Sequence, residues 1–166
     1  MSAPAALLAE LERETRTTRR HLERIPAGRF DWRPHPKSTP AGALASHVVS
    51  CLRFVEPIVM QDALDFDPAT HRPFQAGDPA ALLAGFDETV ARAAGALRAL
   101  TGPALDDPWQ FRIRGALRFE KARGEALRDM AFSHLVHHRG QLSVYLRLMD
   151  VPVPATYGPT ADEAPG

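Results

Sequence analysis

Apolar residues recur every three or four positions in four stretches of the chain, the pattern of helices that bury one face. These stretches predict helices over residues 4–25, 40–64, 79–101 and 125–149. Asp78-Pro79 supplies an N-cap and a first-turn proline for the third helix, and Pro152 prevents the fourth from continuing. Pro57 lies inside the second helix and removes one backbone hydrogen bond, so a kink or an irregular last turn is expected there.

The segment between the third and fourth helices has a different period. Apolar and polar residues alternate on both sides of Gly115, with the apolar positions at Trp109, Phe111, Ile113, Leu117 and Phe119. This alternation predicts a small hairpin or extended flap. The sequence has no internal repeat and no low-complexity tract, so residues 1–166 are predicted to form a single domain. That domain is predicted to be an all-α four-helix bundle carrying the flap.

Composition and charge exclude several classes of partner. The 166 residues are 45% hydrophobic, and 20 Lys and Arg balance 20 Asp and Glu. No basic run exceeds a pair, so nucleic acid is not an expected partner. No stretch approaches the roughly 20 consecutive apolar residues of a membrane span, so no membrane segment is expected. Cys51 is the only cysteine, which rules out an intrachain disulfide and makes the cytoplasm the expected compartment.

Two histidines on the fourth helix are the first candidates for chemistry. His134 and His138 are four residues apart and fall on the apolar stripe of that helix, so both imidazoles are expected to face the bundle. This spacing lets one helix offer two nitrogens to one transition metal. Core or dimer-interface histidines with satisfied nitrogens are the structural alternative, because buried imidazoles are costly without partners.

The second helix supplies a third imidazole. His47 lies at the edge of its buried stripe, so three imidazoles from two helices can meet, which is the ligand count of an open, catalytic metal site. Cys51, one turn later, is either a fourth ligand or a small buried hydrophobe, and the second interpretation is favoured.

Other residues of the fourth helix receive secondary roles. Gln141 and Tyr145 are candidates for hydrogen bonds to substrate or to the ligands, with packing as the alternative. Arg139 is expected to cap or pair near the helix surface. Leu135 stands where a zinc peptidase has its general-base glutamate, so peptidase chemistry is not expected. The remaining histidines are expected at the surface or in loops: His21, His35, His71 and His137.

The run from His134 to Leu142, HLVHHRGQL, together with Leu44-Ala45-Ser46-His47, resembles the DinB family, which is related to bacillithiol transferases and mycothiol-dependent maleylpyruvate isomerase. The resemblance includes Trp32-Arg33-Pro34 and the tail from Val153 to Glu163. It implies an up-down-down-up bundle, a divalent zinc or nickel ion held by His47, His134 and His138, and a homodimer. Family members of known activity transfer low-molecular-weight thiols or use them as cofactors.

The leading hypothesis is therefore a metal-dependent thiol S-transferase, or a related detoxification enzyme, acting on a small-molecule substrate. In this hypothesis a metal held by three histidines lowers the pKa of a bound thiol or water. Two alternatives stay open: a non-enzymatic metal-binding stress-response protein, and a metal-dependent hydrolase that activates water at the same site.

Overall fold

The computed structural model describes residues 2–164 and combines a helical bundle with a small sheet. The helices are α1 (Ala3–Glu23), α2 (Ala41–Leu52), α3 (Val55–Met60), α4 (Pro79–Ala99), α5 (Arg123–Leu127) and α6 (Ser133–Leu148). The strands are β1 (Ala63–Phe66), β2 (Pro108–Ile113) and β3 (Ala116–Ala122). A π-helical segment, Arg128–Phe132, joins α5 to α6.

The four long helices pack in a closed ring. Helix α1 contacts α4 and α6, and α2 contacts the same two helices from the opposite side. All four helices contribute large, completely buried apolar side chains, among them Leu11, Leu22, Leu52, Leu82, Phe86, Leu97, Leu135 and Leu142. Trp109 of β2, Ile58 of α3 and Leu127 of α5 are equally buried. The core therefore lies along the axis of this ring, and α2 and α6 are held side by side.

The prediction of an all-α fold is wrong, because the chain contains a three-stranded mixed sheet in the order β1-β2-β3. Strands β2 and β3 pair antiparallel where the flap was expected, and β1 adds to β2 in parallel, with Ala63 opposite Gln110. The apolar periodicity places residues 63–64 at the end of a long second helix instead. A parallel partner 47 positions along the chain leaves no local signal for such a strand, so periodicity alone could not find it.

The second predicted helix is also shorter than expected, because it breaks into α2 and α3. Arg53 and Phe54 form the turn between them. Pro57 has no N–H to donate to the carbonyl of Arg53, and its ring crowds that carbonyl, so the helical ladder fails at this point. The irregularity expected from Pro57 therefore separates two helices.

By length and mean hydropathy alone, residues Ala41–Met60 are the one helical stretch of the described chain that could cross a membrane, although polar residues interrupt it. Half of the most apolar part of this stretch is buried inside the fold. Val48, Val49 and Leu52 of α2 are completely or almost completely buried in the core. Core packing therefore accounts for the apolar character of this segment.

The π-helical segment changes which face of α6 is buried. A π-turn inserts one extra residue into an α-helix and rotates the residues after it by about 100° relative to the preceding turn. Leu127, just before the π-helical segment, and Ala131, within it, are buried. In α6, after the segment, the buried positions include Leu135, Arg139 and Leu142. His134 and His138 consequently lie at the edge of the buried face and are partly exposed.

Candidate metal centre

The structure brings the three predicted ligands together where α2 packs against α6. The Nε2 atoms of His47 and His134 are 3.2 Å apart. The ring centroid of His138 lies 4.4 Å from that of His47 and 4.7 Å from that of His134. Three imidazoles from two helices therefore form one cluster, which we call the histidine cluster.

Hydrogen bonds on the far side of two rings fix their tautomers. The carbonyl oxygen of Met130 lies 3.3 Å from Nδ1 of His134, and Oε1 of Gln141 lies 2.7 Å from Nδ1 of His138. Both oxygens are acceptors, so each Nδ1 carries the proton and each Nε2 keeps a free lone pair. This arrangement, in which the second nitrogen donates to an oxygen, is the usual one for histidines that bind metal.

Electrostatics favour the neutral rings. Partial burial lowers the pKa of His47, and the nearby His138 and His134 rings lower it further. Burial also lowers the pKa of His138, with the adjacent His134 and His137 rings acting in the same direction against the opposing Gln141 hydrogen bond. Neutral imidazole is the form that binds a cation, so both groups are in the ligating form near neutral pH.

The geometry fits a transition metal. Two nitrogens that bind one tetrahedral zinc ion, each at about 2.0–2.1 Å, lie roughly 3.3 Å apart. The 3.2 Å separation of the His47 and His134 Nε2 atoms is close to that value. Without a cation, His47 Nε2 must instead carry a proton and donate it to the lone pair of His134 Nε2. A shared cation satisfies both lone pairs at once.

Cys51 is close to the same point. The ligand atoms of His47, Cys51 and His134 all lie within 4.8 Å of one another, so the group is a possible His/Cys/His metal site. Two observations favour a neutral thiol: Cys51 Sγ is 3.2 Å from the His47 carbonyl, to which it donates, and burial raises the pKa of Cys51 to about 12. A thiol must lose its proton to bind metal, so this environment weakens Cys51 as a ligand.

Two cavities meet at the histidine cluster. The first, the Arg53 cavity, has a volume of about 490 Å³ and is lined by His47, His134, Arg53, Phe66 and Phe74 among others. The second, the Tyr145 cavity, has a volume of about 800 Å³ and is lined by His47, His138, Gln141, Tyr145 and Lys37 among others. His47 and Pro73 line both cavities. The candidate metal centre therefore adjoins two separate spaces for small molecules.

The two secondary candidates occupy distinct positions. Gln141 accepts from His138 and also lines the Tyr145 cavity. The hydroxyl of Tyr145 donates to the carbonyl of Thr39 at 3.0 Å. The Tyr145 and Trp32 rings pack edge to face, with their centroids 5.8 Å apart. Tyr145 thus anchors the loop before α2 and forms a wall of that cavity.

Sequence reasoning misplaced two polar residues near the bundle axis. Arg139 was expected near the surface but is buried, and it pairs with the buried Glu14 at 2.9 Å. His21 was expected at the surface or in a loop but is completely buried on α1. The spacing Glu14, Thr18, His21 and Ile25 continues a helical stripe, which was the available signal for His21. The other expected surface histidines, His35, His71 and His137, are exposed.

Comparisons with known proteins give the family. A family model described as the DinB superfamily matches residues 10–142. The fold is similar to a DinB-like protein from Bacillus subtilis, with a TM-score of 0.71 and 20% identity, covering 91% of this chain and 96% of that one. A DinB-like protein from Bacillus cereus gives a TM-score of 0.67 and 19% identity, covering 88% and 92%. No curated protein matches the sequence. Because the family model matches most of the length of this chain, the chain belongs to the DinB superfamily.

Proposed function

We propose that this chain is a divalent-metal-dependent enzyme that transfers a low-molecular-weight thiol to a second small molecule. The observation that carries the proposal is the meeting of two cavities at the histidine cluster, through their shared lining residues His47 and Pro73. A transferase must hold two substrates next to one reactive centre, whereas a hydrolase needs room for one substrate and water.

The chain's own residues have separate roles in this proposal. His47, His134 and His138 would hold the cation, and Gln141 would orient His138 through its 2.7 Å hydrogen bond. A zinc or nickel ion bound there would lower the pKa of a thiol. Polar groups of the Tyr145 cavity, among them Lys37, suit a hydrophilic thiol. The electrophile would then occupy the Arg53 cavity, which His47 also lines.

The reaction is a substitution in which the thiol sulfur forms a bond to an electrophilic carbon. The bond from that carbon to its leaving group breaks, the leaving group keeps the electron pair, and the thiol proton goes to solvent. Placing both reactants beside His47 removes much of the entropy cost of bringing them together. Identity of the thiol, a homodimeric state and a cytoplasmic location stay predictions.

A substitution assay tests the proposal. Tag-free, metal-loaded protein is mixed with 1-chloro-2,4-dinitrobenzene and with glutathione, cysteine, bacillithiol or mycothiol in turn, and chloride displacement is followed by absorbance. We expect at least one thiol to react faster than the uncatalysed background. The acceleration should vanish after chelation and in His134→Ala, and should remain in His137→Ala, which removes an exposed neighbouring imidazole.

Two outcomes would contradict thiol transfer. Stoichiometric metal without acceleration of any thiol reaction would indicate the non-enzymatic metal-binding role. Chelator-sensitive hydrolysis of an activated ester, again without thiol transfer, would indicate the hydrolase.

A further inference from the structure

The Arg53 cavity has apolar walls and two exposed arginines in its lining, Arg53 and Arg72. Its walls include the aromatic rings of Phe54, Phe66 and Phe74, together with Leu64 and Pro57. Pockets with mainly aromatic and aliphatic walls and a few polar groups bind small organic molecules. His47 and His134 also line this cavity, so a molecule bound there would adjoin the histidine cluster.

Two arginines at this cavity have no carboxylate partner among residues 2–164. The Arg53 guanidinium lies over the Phe74 ring, 5.1 Å from its centroid, and makes no ion pair within that described range. Arg72 donates through one nitrogen to the carbonyls of Ala69 and His71, at 3.1 and 3.0 Å. Its remaining donors are left for a ligand. Guanidinium groups with free donors are the preferred protein partners of carboxylates.

The two carboxylates at the same cavity are already engaged. Asp67 pairs with the exposed Arg114 at 2.9 Å and accepts from the backbone N–H of Ala69 at 2.9 Å. Both Asp65 oxygens face the backbone N–H of Gly115, at 3.0 and 2.9 Å. Neither aspartate forms an ion pair with Arg53 or Arg72. With Arg114 counted, the charged groups around this cavity are three arginines and two aspartates, so their formal charge is positive.

We propose that the Arg53 cavity binds an organic anion with a planar apolar body and a carboxylate group. The aromatic walls would take the body, and Arg53, with help from Arg72, would take the carboxylate. As the identity of the second substrate, this inference rests on the proposed transferase. As a binding site, it stands on the cavity and its charges alone.

The test uses 2-naphthoate and its uncharged analogue 2-naphthamide, which share the same aromatic body. Binding of each to the purified protein is measured by titration calorimetry. We expect naphthoate to bind about ten times more tightly than the amide, since hydrogen bonds to an ionised group are stronger than neutral ones. Arg53→Gln should remove that difference and leave the amide affinity unchanged. The retained amide binding shows that the variant is folded.

Arg16→Gln is the matched control. Arg16 is an exposed arginine that lines a separate cleft of about 460 Å³ between α1 and α4, and it too forms no ion pair within residues 2–164. This substitution should leave naphthoate binding unchanged. Equal affinity for the two probes, no binding of either, or equal losses in Arg16→Gln and Arg53→Gln would overturn the proposal.

Repeating the titration after chelation separates this inference from the proposed function. The preference for naphthoate should survive metal removal, because the arginines carry it. A preference that disappears with the metal would mean that the cation binds the carboxylate, which overturns the Arg53 assignment and leaves the transferase standing. A protein that never contains metal but keeps an Arg53-dependent preference would retain the anion site and lose the transferase.

Discussion

The Arg139 guanidinium connects three parts of the chain from a buried position on α6. It pairs with the Glu14 carboxylate, donates to Thr18 Oγ1 at 3.2 Å, and donates to the Tyr157 hydroxyl at 2.9 Å. Tyr157 in turn donates to Glu14 at 2.7 Å. Burial opposes ionisation of Glu14, but the hydrogen bonds from Tyr157 and Arg139 outweigh it and lower the pKa of Glu14. This cluster joins α1, α6 and the C-terminal tail.

Removing one member of this buried pair should be strongly destabilising. Arg139→Ala removes the buried cation from the Glu14 carboxylate and leaves only the exposed Arg13 guanidinium, 3.2 Å away, as a charged partner. We expect the free energy of unfolding to fall by about 3–5 kcal/mol. Urea denaturation followed by circular dichroism measures the loss. Arg92→Ala breaks the exposed pair with Glu56 and should cost less than about 1 kcal/mol. Similar losses for the two variants would contradict the role assigned to Arg139.

Buried His21 should make stability depend on pH. Burial lowers the pKa of His21, so the folded protein keeps this ring neutral at pH values where the unfolded chain, with a pKa of about 6.5, binds a proton. The unfolded state then binds more protons, so the free energy of unfolding should fall as the pH is lowered from 7 to 5. In chelator-treated protein His21→Leu should show a shallower decrease. An unchanged slope would show that His21 is protonated equally in both states.

Gln141 should affect metal affinity through His138. Gln141→Ala removes the acceptor for the Nδ1 proton of His138, and we expect metal affinity to fall by about 10- to 100-fold. Gln141→Glu keeps an acceptor oxygen at the same reach and should retain most of the affinity. Competition with a chromogenic chelator measures both. Equal metal affinities for the wild type and Gln141→Ala would show that Gln141 does not support metal binding through His138.

At the scale of single elements, the π-helical segment positions the histidine cluster. It lies immediately before α6, and its Met130 carbonyl accepts from His134. The extra residue brings Arg139 onto the buried face and leaves His134 and His138 at its edge, beside the two cavities. A straight helix would have buried the histidines more deeply, which was the arrangement expected from the sequence.

Helix α4 offers a paired test of how closely the loop over the Arg53 cavity packs. A Cβ on Gly85 would lie 2.4 Å from the Phe74 ring, whereas a Cβ on Gly95 would meet nothing within 4 Å. Gly95→Ala should raise the free energy of unfolding by about 0.5–1 kcal/mol, because alanine loses less backbone entropy in a helix. Gly85→Ala must displace Phe74 and should give no such gain. Equal gains in thermal denaturation would show that Phe74 does not pack there.

Across the whole molecule, the sequence predicts features that depend on local periodicity and misses those that depend on distant partners. The long helices follow from apolar stripes with their own start and stop signals. The proximity of His47 to the α6 histidines follows once α2 and α6 share a core. Strand β1 pairs with β2 far along the chain, and Arg139 is buried because Glu14 and Tyr157 accompany it. None of these partners can be recognised from the residues next to β1 or Arg139 in the sequence.

The tail illustrates the same limit. Glu163 accepts hydrogen bonds from Arg20 of α1 and from Arg24, the residue that follows α1. Asp162 pairs with Arg147 of α6 at 2.5 Å. These ion pairs hold an irregular segment whose sequence has no helical or strand period. Its contacts with two helices that lie side by side in the bundle therefore could not be predicted from its own residues.

Elemental analysis of tag-free protein, applied to the wild type and four variants, determines whether the three histidines hold a metal ion. We expect about one first-row metal ion per chain in the wild type and in Cys51→Ala, and almost none in His47→Ala, His134→Ala or His138→Ala. The chelator-stripped wild type should melt close to the histidine variants. Metal lost in Cys51→Ala as fully as in His47→Ala, but kept in His138→Ala, would establish a His/Cys/His site instead. A wild type without metal would contradict the account.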